Sequence, residues 1–113
     1  MIVVVIFCTY TEGRIKMSKA KTVEEVRTEF LEQVKVISGY WANLPDKTDK
    51  ERCEGVAFSI LNIIDGSSCL PAFDLLVSPH EDDKQFNIDE GEDYYEPKMM
   101  INDCMLHDEF CAI

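Results

Sequence analysis

The chain has no Cys-x-x-Cys pair, no run of lysine or arginine, no glycine cluster and no apolar stretch longer than eight residues. Each absence removes a class of function. Structural zinc sites draw their thiolates from closely spaced pairs, and secreted disulfide scaffolds show even cysteine counts. The five cysteines here (8, 53, 69, 104 and 111) satisfy neither pattern, so reduced thiols of a cytoplasmic protein are expected. Cys53 falls inside an apolar helical pattern, where a free cysteine serves as a small buried hydrophobe. Glycines 13, 39, 55, 66 and 91 stand singly, so no loop can cradle phosphates, which argues against nucleotide hydrolysis and dinucleotide redox chemistry. Ser59 sits in an apolar helix and Ser67 and Ser68 in a turn, and no serine has the flanking glycines of a nucleophile elbow. The apolar run at residues 2–8 is far short of the roughly 20 residues a helical membrane span requires. Met1 is followed directly by Ile2, without the positive region of a secretory signal.

Charge of one sign dominates what is present. Twenty-two acidic against 11 basic side chains leave −11. That field repels nucleic-acid phosphates and anionic headgroups, so neither direct nucleic-acid backbone binding nor a membrane partner is expected. A basic protein partner or a metal cation suits it better, and plain solubility would use it equally well. With 113 residues, 46% hydrophobic and 29% charged, the chain fits one globular core. Residues 17–113 are assigned to that single domain. Residues 1–16 are either an N-terminal extension, with Met17-Ser18-Lys19 reading as an ordinary polar start, or a strand, which the β-branched content of residues 2–6 favours.

Two helices carry their own start signals. Thr22-Val23-Glu24-Glu25 has capping-box spacing, and Val23, Val26, Phe30, Val34, Ile37 and Trp41 follow as one apolar stripe. The spacing predicts a helix over about 22–43, ended by Pro45. Thr48-Asp49-Lys50-Glu51 repeats the box and predicts a second helix over about 49–65, stopped at Asp65-Gly66. Its apolar residues lie nearly all round, which belongs at the centre of a domain. Gly55 in mid-helix implies close approach of another backbone.

The second half reads as strands and loops. Residues 72–77 form an apolar run bounded by Pro71 and Pro79, with residues 85–88 or 2–7 as possible strand neighbours. Leu106 and Phe110 at i, i+4, capped by Asn102 or Asp103, predict a short C-terminal helix. The fold class expected is therefore α+β, two antiparallel helices packed on a small β-sheet or hairpin with a short terminal helix. Between Pro79 and Pro97 eight carboxylates face one lysine, a local −7, with Gly91, Tyr94 and Tyr95 interleaved.

Residues 51–61, with Asp65-Gly66, Leu70-Pro71-Ala72-Phe73-Asp74-Leu75, Pro79-His80-Glu81-Asp82-Asp83 and Gly91-Glu92-Asp93-Tyr94-Tyr95, carry a resemblance. The stretch from Trp41 to Pro97 resembles a family of short bacterial and phage proteins without assigned function. The resemblance implies a self-contained domain and brings no activity and no catalytic residue.

Three functional readings follow. The first is a non-enzymatic accessory protein, engaging a basic protein partner through Trp41, Asp89, Glu90, Glu92, Asp93, Tyr94 and Tyr95, in its sharpest form as an acidic mimic of nucleic acid. The second is a hydrolase using a divalent metal, Zn, Mn or Mg, held by Asp74, His80, Asp82 and Asp83 with His107 as a further ligand. The third is a small-ligand pocket at the helix–strand junction lined by Trp41, Phe73 and Tyr94. No catalytic residue is assigned, and no cofactor other than that metal.

Overall fold

A computed structural model describes residues 18–113. Along them run helices α1 (Val23–Ala42), α2 (Asp49–Ile64), α3 (Asp83–Asp89) and α4 (Leu106–Ala112). The proposed strand at residues 2–7 lies outside the described residues. Both capping boxes close. Thr22 Oγ1 accepts the Glu25 N–H at 3.1 Å while the Glu25 carboxylate accepts the Thr22 N–H at 3.3 Å, and Thr48 and Glu51 do the same at 3.1 and 2.9 Å. Each box satisfies two N–H groups that the first helical turn leaves without partners, a contribution of about 1 kcal/mol.

The first two helices run antiparallel. Trp41, at the end of α1, lies on Gly55 and Ser59 of α2, whereas Val26 and Phe30 share a groove with Ile64 at the far end of α2. Ile37, Trp41, Ile63 and Leu70 are the buried apolar centre, with Phe30, Val56 and Phe73 packed against it. The Trp41 Nε1–H donates to Ser59 Oγ at 2.9 Å, so the two buried polar groups satisfy each other. A Cβ on Gly55 would lie 2.3 Å from the Trp41 ring, so the close approach that this glycine permits is by an indole and not by a backbone. Burial fades along the stripe towards its start, where Val23 is 68% exposed. Cys53 is also exposed, against the sequence expectation, because it falls outside the face that meets α1.

The α+β expectation is overturned: the described chain is mostly helical and holds no sheet or hairpin. Residues 85–88, weighed as a strand, lie in α3. Gln85 donates to Asp89 there at 2.9 Å, an i, i+4 bond available only in a helix. Residues 72–77 are extended but meet residues 98–102 through one bridge, Leu76 opposite Met100. Growth of that pairing stops for a physical reason. The Leu75 N–H donates to the Asn102 side chain at 2.9 Å, the Asn102 amide donates to the Phe73 carbonyl, and the Phe73 N–H donates to the Ile64 carbonyl at 2.8 Å. A side chain and a helix end thus occupy the places a strand would take.

At the other end of this ribbon, the Val77 N–H donates to the Met99 carbonyl at 2.9 Å and the Lys98 N–H to the Val77 carbonyl at 2.7 Å. Two residues therefore oppose one, with Lys98 at φ 65° in the position where such a bulge normally holds glycine. Left-handed backbone costs a residue with a Cβ about 1–2 kcal/mol, and glycine's extra freedom in the unfolded chain returns part of that. Lys98→Gly is expected to raise stability by about 0.5 kcal/mol and Lys98→Val to lower it, readable as opposite shifts in urea midpoint.

The C-terminal helix forms where expected, but its cap does not come from Asn102 or Asp103. The Asp65 carboxylate, its side chain 1% exposed, accepts the N–H of Leu106 at 3.0 Å and of His107 at 2.9 Å, and meets His107 Nδ1 at 2.5 Å. The last residue of the α2 turn therefore caps α4 from 41 positions away. Asn102 is committed to the ribbon instead.

Candidate functional site

The chain divides electrically. From Asp74 to Ile113 twelve carboxylates face two lysines, a net −10, whereas residues 18–73 carry nine carboxylates and seven cations, a net −2. Large apolar side chains are left exposed in the same half, among them Phe86, Ile88, Tyr95, Met99 and Met100. A wholly solvated acidic loop has no need of them.

Residues 78–97 connect the two sides of the ribbon, so the acidic segment leaves and returns to a fixed base. Its entry is a local knot: the His80 N–H donates to the Asp83 carboxylate at 3.1 Å, and the Asp82 N–H donates to His80 Nδ1 at 3.2 Å. These bonds start α3 although Asp82 itself makes no side-chain cap. At the exit, Lys84 pairs with Glu96 at 3.0 Å and lies 4.9 Å from the centre of the Tyr94 ring. The carboxylate beside it raises the Lys84 ammonium above its ordinary value. The one cation in this segment is thereby engaged, leaving Glu90, Glu92 and Asp93 exposed, with Tyr94 42% and Tyr95 69% exposed beside them. Asp89 is exposed and accepts from Gln85.

Trp41, assigned with these residues to one binding surface, is 7% exposed and closed into the α1–α2 core. A tryptophan at the end of an amphipathic stripe is the largest apolar body available to the turn, and burial wins. The other groupings also come apart. Trp41 lines a groove of about 580 Å³ with Phe58 and Phe110, while Phe73 lines another of about 520 Å³ with Val23, Val26 and Phe30, and Tyr94 lines neither. Asp74, His80, Asp82 and Asp83 are all exposed, and no set of three or more His, Cys, Asp or Glu among the described residues is arranged to hold a metal ion. His80 spends its Nδ1 on the Asp82 backbone, and His107 spends its own on Asp65.

The Asp65–His107 contact is the strongest polar feature that the sequence reading left unnoticed. Both ring nitrogens of His107 face carboxylates, Nδ1 to Asp65 and Nε2 to Asp108 at 3.4 Å, and Phe58 packs edge-on against the ring at 5.5 Å. That arrangement leaves no ring nitrogen aimed at a nucleophile, so the pair works as an anchor. Desolvation and the carboxylates of Glu109 and Asp103 hold the Cys104 thiol above its ordinary value. Asp65 stands directly before Gly66 and was legible only as a helix stop; nothing local signals a partner at position 107.

No helix among the described residues is long and apolar enough to cross a membrane. Comparison of the chain with protein-family models, with curated proteins and with solved structures gave no match.

Proposed function

We propose that this chain is a non-enzymatic binding protein that engages a basic protein partner through the acidic, tyrosine-bearing segment at residues 89–95. The observation that carries the reading is the engagement of Lys84 by Glu96 and Tyr94, which leaves Glu90, Glu92, Asp93 and the Tyr95 ring exposed with no cation paired to them among the described residues. Carboxylates steer a basic partner over long range, and tyrosine supplies contact area at low conformational cost. The resemblance of residues 41–97 to short bacterial and phage proteins suggests an accessory role in a phage–host setting, with a basic host protein as the partner.

The test is salt-dependent capture from a bacterial lysate, with captured proteins identified and their association rates measured. The wild-type chain is expected to retain basic proteins at low salt. The triple variant Glu90→Gln, Glu92→Gln, Asp93→Asn should lower the association rate by about tenfold, and Tyr95→Ala should mainly speed dissociation. Capture that is unchanged in the triple variant, or that is insensitive to salt, rejects the reading.

A further inference from the structure

Residues 72–77 have one edge in use and one open. The backbone groups of Phe73, Leu75 and Val77 bond to Ile64, Lys98, Met99, Ile101 and the Asn102 side chain. Extended backbone turns the groups of successive residues to alternate edges, so those of Asp74 and Leu76 face the other way. Among the described residues nothing hydrogen-bonds to them. Asp74 and Leu75 also line the groove of about 520 Å³ that Val23, Val26 and Phe30 of α1 share with Phe73. Phe30 meets Phe73 edge-on at 5.4 Å, so α1 and the 72–77 segment are two sides of one apolar channel. Val23 stands 68% exposed in it. An unpaired edge beside exposed apolar side chains invites a further extended chain.

We infer that this channel is the docking site of the chain's own residues 2–7, laid extended along the open edge, with their backbone bonded to Asp74 and Leu76 and alternate side chains set against Val23, Val26 and Phe30. The chemistry of the segment fits. Residues 2–6 are all β-branched, which suits extended backbone, and no charged side chain precedes Glu12. The apolar run that ends at Cys8 is also the longest in the chain, so no other segment could fill an apolar channel as completely. Length and place fit as well. Nine residues, 9–17, join the run to Ser18, where the described chain begins, and fully extended they reach about 30 Å. Lys21 and Thr22, only three and four positions beyond Ser18, already line the channel. A tether of that length holds the segment beside its seat at an effective concentration on the order of millimolar, which neither a second copy nor a separate peptide matches in dilute solution. Docking of this kind leaves the helical architecture of residues 18–113 as it stands.

The experiment is amide hydrogen exchange, residue by residue, on the purified full chain. Asp74 and Leu76 are the probes, because their N–H groups gain a partner only if something docks on the open edge. Both are expected to exchange about a hundredfold more slowly than in an unstructured chain. The double variant Val4→Asp, Val5→Asp places a charge on each face of an extended segment, so it breaks the seat in either register. It should return Asp74 and Leu76 to unprotected rates while Phe73 and Val77, bonded to Ile64 and Met99, keep their protection. Val23→Asp tests the other side of the channel at an exposed position where a carboxylate suits the helix start, and it should lower the same protection about tenfold with Trp41 emission unchanged. Unprotected Asp74 and Leu76 in the wild-type chain overturn the inference. Protection that survives the Val4→Asp, Val5→Asp change overturns it too, since another group would then cover the edge, and protection indifferent to Val23→Asp removes the channel from the account. Protection that rises with protein concentration overturns it in favour of a second copy donating the segment.

Discussion

Gly55→Ala is expected to destabilise the protein by about 3 kcal/mol, well beyond the usual effect of alanine for glycine in a helix. Helix propensity alone would favour alanine by up to about 1 kcal/mol. Against that gain stands a new Cβ at 2.3–2.5 Å from three atoms of the Trp41 ring, inside any tolerable contact. The indole cannot retreat cheaply, because its N–H is held by Ser59 and its body is part of the buried centre with Ile37 and Ile63. Either the helices separate or the ring leaves, and overpacking of this kind costs about 1–3 kcal/mol before any loss of tryptophan burial is added. Trp41 is the sole tryptophan, so its emission reports the outcome directly. Urea titration should show a lower midpoint and a red-shifted native spectrum. Trp41→Leu in the Gly55→Ala background should recover part of the loss, a coupling of about 1 kcal/mol or more. Additive effects would mean that the contact is not what constrains position 55.

Asp65→Asn should cost about 3 kcal/mol and release α4. The carboxylate accepts two backbone N–H groups and faces the His107 ring while its side chain is almost wholly buried, and breaking one partner of a buried charged network is costly in this range. Burial pushes the Asp65 carboxyl up, but the bonds from His107 and Leu106 outweigh it and hold the group below its ordinary value near 3.8. The sign of the pH effect follows. A carboxyl whose folded value is depressed contributes its full stabilisation above the ordinary value, and that stabilisation is lost as pH falls through the folded value. Wild type should therefore lose stability on acidification below the usual aspartate range, and Asp65→Asn should show less of that loss, the two curves converging in strong acid. Stability against pH for both proteins, with amide exchange at His107 as the local probe, checks this. Parallel curves would assign the acid loss to other carboxylates.

Sequence pattern resolved the first half of the chain well. Two Thr-x-x-Glu boxes and a 3-4-4 apolar stripe each refer to residues within a turn of one another, and such short-range signals survive whatever the rest of the chain does. The second half was governed by contacts that no window contains. Asn102 reaches back to the backbone of Phe73 and Leu75, Asp65 reaches forward to Leu106 and His107, and together these turned an expected sheet into one paired bridge and an ordinary-looking helix stop into an anchor. Asp89, Glu90, Glu92, Asp93, Tyr94 and Tyr95 were recognisable as exposed because a dense run of carboxylates cannot be buried, whereas Trp41 was misplaced because an amphipathic side chain suits a rim and a core equally. Asp74, His80, Asp82 and Asp83 lie on the surface without forming a set arranged to hold a metal ion among the described residues, since nearness in sequence does not turn side chains towards a common point.

The bond between Asp65 and the start of α4 also sets an order of events. The α1–α2 hairpin is assembled from neighbours in sequence and can form early, but closing a segment of 41 residues carries an entropic cost of several kcal/mol that the ribbon bonds and the Asp65 anchor offset only once they are complete. During refolding the anionic segment would therefore stay loose until the ribbon bonds and the Asp65 anchor form, and its shape would be decided after that of the hairpin.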